Sequence, residues 1–525
     1  MSPEDTFDPI ELEVFKNVFV SISEEMGAVL GRTALSPNIK ERKDFSCALF
    51  TSTAETFAQG SHIPVHLGAM PLSVRAALKD VAFAEGDLAI LNDPYKGGTH
   101  LPDITCISPV YVGNNLVFFV ANRAHHSDVG GMTPGSMPLA SEIYQEGLII
   151  PPVKIIRGEK IDADIFELIL ANVRTPEERK GDLLAQIAAN NTGKLRLKES
   201  IKKYGLQKVQ RYASFIQDYT ERILRQTIRA IPDGSYRCED HLDNDGISDA
   251  PVKIGIKLTI RGDEAVLDFG PSSSQVEGGV NANLAVTLSA VLYVFRCLVE
   301  EDIPFNTGLM RPLTVDAPPG SVVNALHPAA TAGGNVETSQ RIVDVILGAL
   351  AQAIPGRIPA ASSGTMNNVA FGGFDPVKQA HFAYYETIGG GMGASSERDG
   401  LSGVHTHMTN SLNTPLESLE SYLPLRITKY ALRRNSGGKG LRKGGEGIIR
   451  EYKFLVPTHV SIISERRRFH PYGVLGGGQG KKGKNTLVTA AGKVIRLGPK
   501  VNLKVQAGDV LRIQTPGGGG YGQKG

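Results

Sequence analysis

The chain carries almost no net charge: 56 basic side chains stand against 54 acidic ones in 525 residues, a formal balance of +2. That balance supplies no long-range field with which to collect nucleic acid or an anionic membrane, so neither is expected as a partner. Cysteine is scarce. Its four residues, Cys47, Cys106, Cys238 and Cys297, lie far apart and form no Cys-x-x-Cys pair, which argues for reduced, buried thiols in a cytoplasmic protein. No apolar run approaches the roughly 18 residues that a membrane span needs, and the first residues are acidic where a secretory signal would be basic. A soluble, unexported protein is the expectation. Three signatures of chemistry are also missing. There is no Gly-x-x-x-x-Gly-Lys-Ser/Thr phosphate loop and no Gly-x-Ser-x-Gly elbow, and the glycines at 389–395 lack the strand, helix and distant acid of a dinucleotide fingerprint. The basic run GGGQGKKGKN near residue 476 reads better as a turn between strands than as a phosphate cradle.

What the chain does have is length and glycine. At 525 residues it exceeds one ordinary core, and three or four domains are expected. Its 59 glycines cluster, at 97–98, 130–131, 389–391, 476–478 and 517–520, as in a loop-built site on a rigid frame. Asp8 and Pro9 open a helix with a mostly helical apolar stripe from Ile10 to Met26. Strands and helices then alternate through residue 155. From Thr175 to Ile231 the sequence turns to charged helix formers, and after Pro232 it returns to strands, with apolar helices at Asn281 to Leu298 and after Gly333. The last hundred residues are strands separated by Gly, Lys and Pro turns. A mixed α/β (α+β) multidomain fold follows: a metal-site domain at 1–174 with a mixed sheet and helices, a helical layer at 175–232, a second α/β region at 233–430 and a β-rich domain at 431–525.

The chemistry concentrates between Leu91 and Glu146. His-x-x-Asp occurs there twice, at His100/Asp103 and His125/Asp128, with a hairpin folded around Gly113-Asn114-Asn115 between them. Side chains directly opposite in an antiparallel pair share a face. A two-residue Asn114-Asn115 turn would set Asp103 opposite His126, and a three-residue Gly113-Asn114-Asn115 loop would set it opposite His125. Either register joins an imidazole to a carboxylate. Two neutral imidazoles with carboxylates, beside flexible glycines, suit an open catalytic site for divalent Zn, Mn or Fe.

The strings ILNDPYKGGTHLPDITCISPVY, AHHSDVGG, HIPVHLGAM, ETIGGGMGASSERDGLSGVHTHMTNSLNTP, SGGKGLRKGGEGIIREYKF and TPGGGGYG all occur in the chain. Together they resemble the hydantoinase B/oxoprolinase family across essentially the whole chain. The resemblance implies one half of an ATP-dependent enzyme that opens cyclic amides (hydantoin, 5-oxoproline or a lactam), with ATP bound by a hydantoinase A type partner in an α2β2 assembly. It implies a divalent metal on His100, Asp103 and His125, with Asp44 as fourth ligand, and it favours His125 over His126 and hence the three-residue loop. His126 then lines the pocket. Asp128 or Glu146 is the expected general base, and His62, His66, His405 and His407 are either pocket wall or structural. Asn92 and Asp93 serve turn chemistry or catalysis. A ketone carboxylase component of the acetone or acetophenone type is the alternative, and a non-enzymatic scaffold a third. The resemblance also predicts that the tail TPGGGGYG docks near 389–393, with Tyr521 as its anchor.

Overall fold

The computed structural model describes residues 8–523, so the acidic N-terminal residues 1–7, with Lys524 and Gly525, lie outside the described residues. Helix α1 (Pro9–Thr33) begins as its sequence predicts, with Pro9 in the first turn and the Asp8 side chain accepting from Ile10 N at 2.8 Å. The one-turn helix α2 (Pro37–Lys40) follows, then β1 (Phe45–Thr51), β2 (Thr56–Gln59), helix α3 (Ala69–Asp80), β3 (Leu88–Leu91), β4 (Asp103–Val112), β5 (Asn115–His125), β6 (Val153–Arg157) and β7 (Lys160–Ile161). These strands form one seven-stranded sheet in the order β2-β1-β5-β4-β3-β6-β7.

Strand β1 shows why this sheet is buried on both faces. Phe45, Cys47 and Leu49 pack with Phe15, Phe19 and Met26 of α1, while Ala48 and Phe50 point the other way and pack with Met70 and Val74 of α3. Such two-sided burial turns the strand sequence into a continuous apolar run. Helix α4 (Ala163–Ala171) and the long helices α5 (Pro176–Tyr204) and α6 (Leu206–Arg229) supply the helical layer. Ala185 and Ala189 of α5 join the α1 side of the core, and Asn190 and Gln186 hydrogen-bond the Asn122 side chain of β5.

A four-stranded sheet follows, from β8 (Gly234–Leu242), β9 (Val252–Arg261), β10 (Glu264–Asp268) and β11 (Leu313–Asp316), covered by α7 (Leu284–Leu298) and α8 (Ser339–Ala353). Helix α7 starts three residues later than Asn281, because the Asn283 side chain caps it by accepting from Val286 N. The expected helix after Gly333 opens instead with a π-helical turn, Gly334–Thr338, before α8.

The remaining strands are β12 (Asn368–Asp375), β13 (Ala380–Glu386), β14 (Leu425–Arg433), β15 (Gly447–Phe454), β16 (Thr458–Ile463), β17 (Lys484–Val488), β18 (Val494–Leu497), β19 (Lys500–Val505) and β20 (Val510–Gln514), with α9 (Leu416–Tyr422) before β14. They form two sheets, β13-β12-β16-β19 and β14-β15-β20-β17-β18. Their inner faces share one core around Phe371, Tyr384, Tyr452 and Leu511. Among the described residues, four sheets with helices packed on them make this a mixed α/β multidomain fold.

Three of the glycine clusters, at 389–391, 476–478 and 517–520, meet in one place. Successive amides of the tail donate to different neighbours: Gly517 N to Lys481 O at 3.2 Å, Gly518 N to Gly445 O at 3.0 Å, Gly519 N to Ala361 O at 2.8 Å and Gly520 N to Gly478 O at 2.9 Å. A β-strand bonds two neighbours in alternation, whereas an extended three-residue-per-turn helix of polyproline II type directs its amides all round. The tail behaves as the second. Gly391 N and Ala394 N donate to Pro516 O and Gly519 O, so the tail does lie on the 389–394 loop. Tyr521 is buried and donates to Pro355 O at 3.2 Å. The run near 476 belongs to the same bundle. Gly477, Gly478, Gly480 and Lys481 N all donate to backbone carbonyls, which leaves those amides unable to cradle a phosphate.

Candidate metal centre

Strands β4 and β5 deliver the central pair. Asp103 opens β4, His125 closes β5, and the two are register partners. The register is reached by a route different from either expected turn. Val112 pairs with Asn115, making a two-residue Gly113-Asn114 turn with Gly113 at φ 57°, and the pairing shifts between Val110/Phe118 and Tyr111/Leu116. Val117 is thus an extra, bulged residue. A two-residue turn plus one bulge places Asp103 where a three-residue loop would have.

His100 arrives on the loop before β4, which is heavily braced. The Asn92 side chain donates to Leu101 O at 2.8 Å and Leu148 O at 2.9 Å and accepts from Ile150 N, and Asp93 caps the turn at Tyr95 N. Both residues therefore have structural work that accounts for them. The Asn283 side chain ties α7 to the same loop through Thr99 O at 2.8 Å.

The result is a buried group in which one nitrogen or oxygen from each of His100, Asp103 and His125 lies within 4.8 Å of the other two. The three residues are 0%, 1% and 3% exposed. Four of their ligand-type atoms, both nitrogens of His100, Nε2 of His125 and Oδ1 of Asp103, lack a well-formed hydrogen bond, and the one near neighbour among them is His100 Nε2, 3.3 Å from Asp103 Oδ2. A buried polar atom left so costs about 1–3 kcal/mol, and four together are hard to reconcile with a closed protein interior. They fit a cation. The electrostatics agree with that donor set. Burial works to raise Asp103, but His100 and His66 beside it hold it well below the usual carboxylate range. Burial, helped by His100, holds His125 well below the ordinary imidazole value, leaving a neutral ring with a lone pair to give.

The surrounding residues orient this group. Thr99 donates its hydroxyl to Asp103 Oδ2, and His66 Nε2 stands 3.2 Å from the same oxygen, with its Nδ1 on Ser46. Tyr385 stacks on His125 with centroids 4.4 Å apart and planes 10° off parallel. The Asn38 amide lies 3.1 Å from His125 Nδ1, while Asn38 Oδ1 lacks a partner. Turning that amide over would let Oδ1 accept from Nδ1–H, which satisfies both atoms and puts the His125 lone pair on Nε2. Asn38→Leu is therefore expected to weaken metal binding about 10–100-fold with the fold intact, measured by competition with a chelating dye. Unchanged affinity would remove Asn38 from this role.

The other expected site residues are sorted by their contacts. Asp44 adjoins the group through its backbone, since its carbonyl accepts from His125 N at 2.9 Å. Its carboxylate is 3.7 Å from Arg42 Nη2, outside the three-residue group, and burial raises its pKa. His126 points away, its Nε2 2.9 Å from Gln186 Oε1. Burial, with Arg179 nearby, lowers it to about 4. Asp128 is fully engaged: its oxygens accept from Gly130 N, Gly135 N, Arg174 N and Arg174 Nη1. Those bonds shape the glycine loop and leave no free lone pair aimed at a reactant.

Glu146 is the contrasting case. Its Oε1 accepts from Thr331 N at 2.8 Å and Ala332 N at 2.9 Å, its Oε2 has no partner, and burial raises it to about 7, with His100 among the groups opposing that rise. His62 sits apart, accepting from Cys47 N at 3.3 Å and facing Glu24. His405 has no partner on either nitrogen, and His407 reaches Tyr293 at 3.4 Å. Asn38, Thr99, Tyr385 and Glu337 escape a reading of the sequence, because none stands in a metal-ligand pattern. Of the four thiols, Cys47 and Cys106 are buried as expected, whereas Cys297 is exposed at the end of α7.

The hydantoinase B/oxoprolinase family model matches residues 8–524. The chain belongs to that family. It is 43% identical to 5-oxoprolinase 1 of Arabidopsis thaliana over 99% of its own length, but it spans only 42% of that longer relative. A Pseudomonas sp. (strain NS671) protein, provisionally named as the B component of a D-/L-hydantoinase, is 32% identical, with 98% of this chain and 90% of that one covered. Among solved structures, the ATP-dependent caprolactamase of Pseudomonas jessenii superposes with a TM-score of 0.92 at 29% identity, covering 99% of this chain and 92% of that one. The nucleotide-free acetone carboxylase shares the fold, with a TM-score of 0.90 at 18% identity over 98% of this chain and 76% of that one. No helix among the described residues is long and apolar enough to cross a membrane.

Proposed function

We propose that this chain is the ring-opening, B-type component of an ATP-dependent cyclic amide hydrolase, acting on a hydantoin, 5-oxoproline or lactam activated by an A-type, nucleotide-binding partner. The observation that carries this reading is the buried His100/Asp103/His125 group with four ligand atoms lacking a well-formed hydrogen bond, beside a carboxylate, Glu146, with a free oxygen. The names of the oxoprolinase, hydantoinase and caprolactamase relatives support the substrate class. The carboxylase likeness, at 18% identity, speaks for the fold.

An amide is resonance-stabilised, and a five-membered ring recloses readily, so ring opening needs both driving force and a more electrophilic carbon. Phosphorylation of the amide oxygen by the partner would supply both. Water then adds at that carbon, the C–N bond breaks with the nitrogen taking a proton, and hydrolysis of the remaining acyl phosphate releases phosphate. In this chain His100, His125 Nε2 and Asp103 Oδ1 would hold a divalent cation, Zn, Mn or Fe, with Asp44 as a further candidate. Such an ion would lower the pKa of a water and stabilise developing negative charge. Glu146 is the group we assign as general base. Its Oε1 is pinned by two amides, so Oε2 is directed, and a carboxyl near 7 is matched to proton transfer at neutral pH. Asp128, fully hydrogen-bonded, is assigned to loop structure and His126 to the wall behind the centre.

Glu146→Gln is expected to lower kcat about 10²–10⁴-fold while bound metal and thermal stability stay at wild-type levels. Wild-type activity should rise with pH through an apparent pKa at or below about 7, where Glu146 becomes ionised. A variant with normal turnover would exclude Glu146 as the base.

The isolated chain is expected to open no ring with or without ATP. Mixed with an A-type partner it should form a stable complex, proposed as a dimer of heterodimers with an obligate-scale interface, whose mass is read by native mass spectrometry. ATP turnover by the complex, screened against 5-oxoproline, hydantoins and lactams, tests the function. Turnover that depends on bicarbonate and a ketone would replace the hydrolase reading with the carboxylase one.

A further inference from the structure

Within Thr331 to Gln340, three side-chain oxygens are buried without a partner: Asn335 Oδ1, Glu337 Oε2 and Gln340 Oε1. Glu337 is 0% exposed and Gln340 1%. A packed interior pairs nearly all such atoms, so a run of orphans marks a place completed by something other than protein. The backbone gives an independent sign. Gly334–Thr338 is a single π-helical turn, a rare form that is frequent at functional sites.

Three ties set this segment against the reaction centre. At its start the Thr331 and Ala332 amides hold Glu146. In its middle Glu337 Oε1 accepts from Asn368 Nδ2 at 2.7 Å, and Asn368 Oδ1 accepts at 2.7 Å from the Tyr385 hydroxyl, whose ring stacks on His125. At its end Gln340 Nε2 donates to Thr406 O at 2.9 Å, between His405 and His407.

Each tie also fixes the character of the free atom. Gln340 cannot turn its amide over without losing Thr406, so its Oε1 is an acceptor. Asn368 holds Glu337 Oε1 as an acceptor, which leaves a carboxyl proton for Oε2. Burial, followed by the nearby Glu465, outweighs the hydrogen bond from the Thr365 side chain, raises Glu337 to about 8 and keeps that proton at neutral pH. The wall therefore offers one O–H donor and one carbonyl acceptor about a helical turn apart.

A small ring forces its amide cis, so that C=O and N–H lie side by side on one edge, whereas an open-chain amide is trans and divides them. We propose that the turn from Asn335 to Gln340 recognises the cis-amide edge of the ring, Glu337 Oε2 donating to a ring carbonyl and Gln340 Oε1, with Asn335, accepting from a ring N–H. This inference rests on the cyclic-amide reading and deepens it. The turn selects rings with a free N–H, and none of its residues holds the metal.

The test uses the metal-loaded complex with its A-type partner, without ATP, and follows the binding of hydantoin and of 1,3-dimethylhydantoin by calorimetry. Gln340→Met should weaken hydantoin about tenfold and leave the dimethyl ring unchanged, with bound metal and melting temperature as in wild type. Glu337→Met should weaken both rings about tenfold, since both keep their carbonyls. Glu337→Gln should restore wild-type binding, because its amide can accept from Asn368 and still donate. Equal losses on both rings in Gln340→Met, no loss in either, or a fall in metal content or melting temperature would overturn the assignment. If the wild-type complex binds and opens no cyclic amide at all, the functional reading itself fails, a result distinct from a wall that binds methylated and free rings alike.

Discussion

His125→Ala is expected to empty the metal centre and abolish ring opening while the protein stays folded. The imidazole contributes a single free nitrogen, Nε2, to the group, and its other nitrogen is held by Asn38. Removing the ring leaves His100 and Asp103, two residues where a divalent site of this type uses three or four. The loss in affinity should exceed the 10–100-fold typical of removing an outer-shell partner. Stability should change far less. The lost protein contacts are one hydrogen bond, the ring stack with Tyr385 and an edge contact with the His100 ring, centroids 5.0 Å apart, together about 1–3 kcal/mol. Metal analysis of the purified variant, circular dichroism and the ring-opening assay of the complex check the three parts. A variant that keeps its metal, or a metal-free wild type with full activity, would remove this group from the chemistry. His100→Ala should behave alike, since its one polar contact is with Asp103 Oδ2, 3.3 Å from its Nε2, inside the same group.

The meeting of His100, Asp103 and His125 was legible in the sequence because it is local. His100, Asp103 and His125 sit within one hairpin, and period-two pairing restricts which side chains can meet. The bulge at Val117 was not legible, since a turn and a compensating bulge give the same final register as a longer loop. Asp128 shows the limit of pattern reading. It repeats the His-x-x-Asp spacing, yet its oxygens are taken by Arg174 and glycine amides that arrive from elsewhere. Glu146 stands out as a ligand-type residue in a dense segment, but the feature that distinguishes it, a pair of amides from Thr331 and Ala332, comes from a loop 185 residues away or more. Glu337 carries no local signal at all. The π-helical turn breaks the 3.6-residue periodicity by which that helix is read, so the segment looks like an ordinary helix start after two glycines. Sequence periodicity reports which face of an element is apolar. It does not report which distant backbone will satisfy, or leave unsatisfied, a buried polar atom.

Gly518→Ala is expected to cost a large share of the stability for a single added methyl group. A Cβ added there falls onto the Met392 carbonyl, and the residue is hemmed by backbone: Gly518 N donates to Gly445 O at 3.0 Å and its carbonyl accepts from Gly438 N at 2.8 Å. Backbone cannot move aside as a side-chain tip can. Relief would require shifting several segments that hydrogen-bond to one another, and each amide displaced inside the bundle becomes a buried donor without a partner. The expected loss is about 4 kcal/mol or more, in the range reserved for severe core or backbone conflicts, against total stabilities of about 5–15 kcal/mol for folded domains. Denaturant unfolding followed by fluorescence checks it. Gly356→Ala is the matched control, because a Cβ there meets nothing within 4 Å and its φ lies outside the left-handed region; it should fall within about 0.5 kcal/mol of wild type. The bundle and the metal centre are distant in contact terms: the tail bonds to 361, 391, 445, 478 and 481, whereas His100, Asp103 and His125 bond within the first sheet and to Asn38 and His66. Any folded fraction of Gly518→Ala should therefore carry its normal metal content, so that instability and metal loss separate cleanly between this variant and His125→Ala. An unfolding midpoint equal to that of Gly356→Ala would show that the glycines can yield, and that the bundle does not require them at this position.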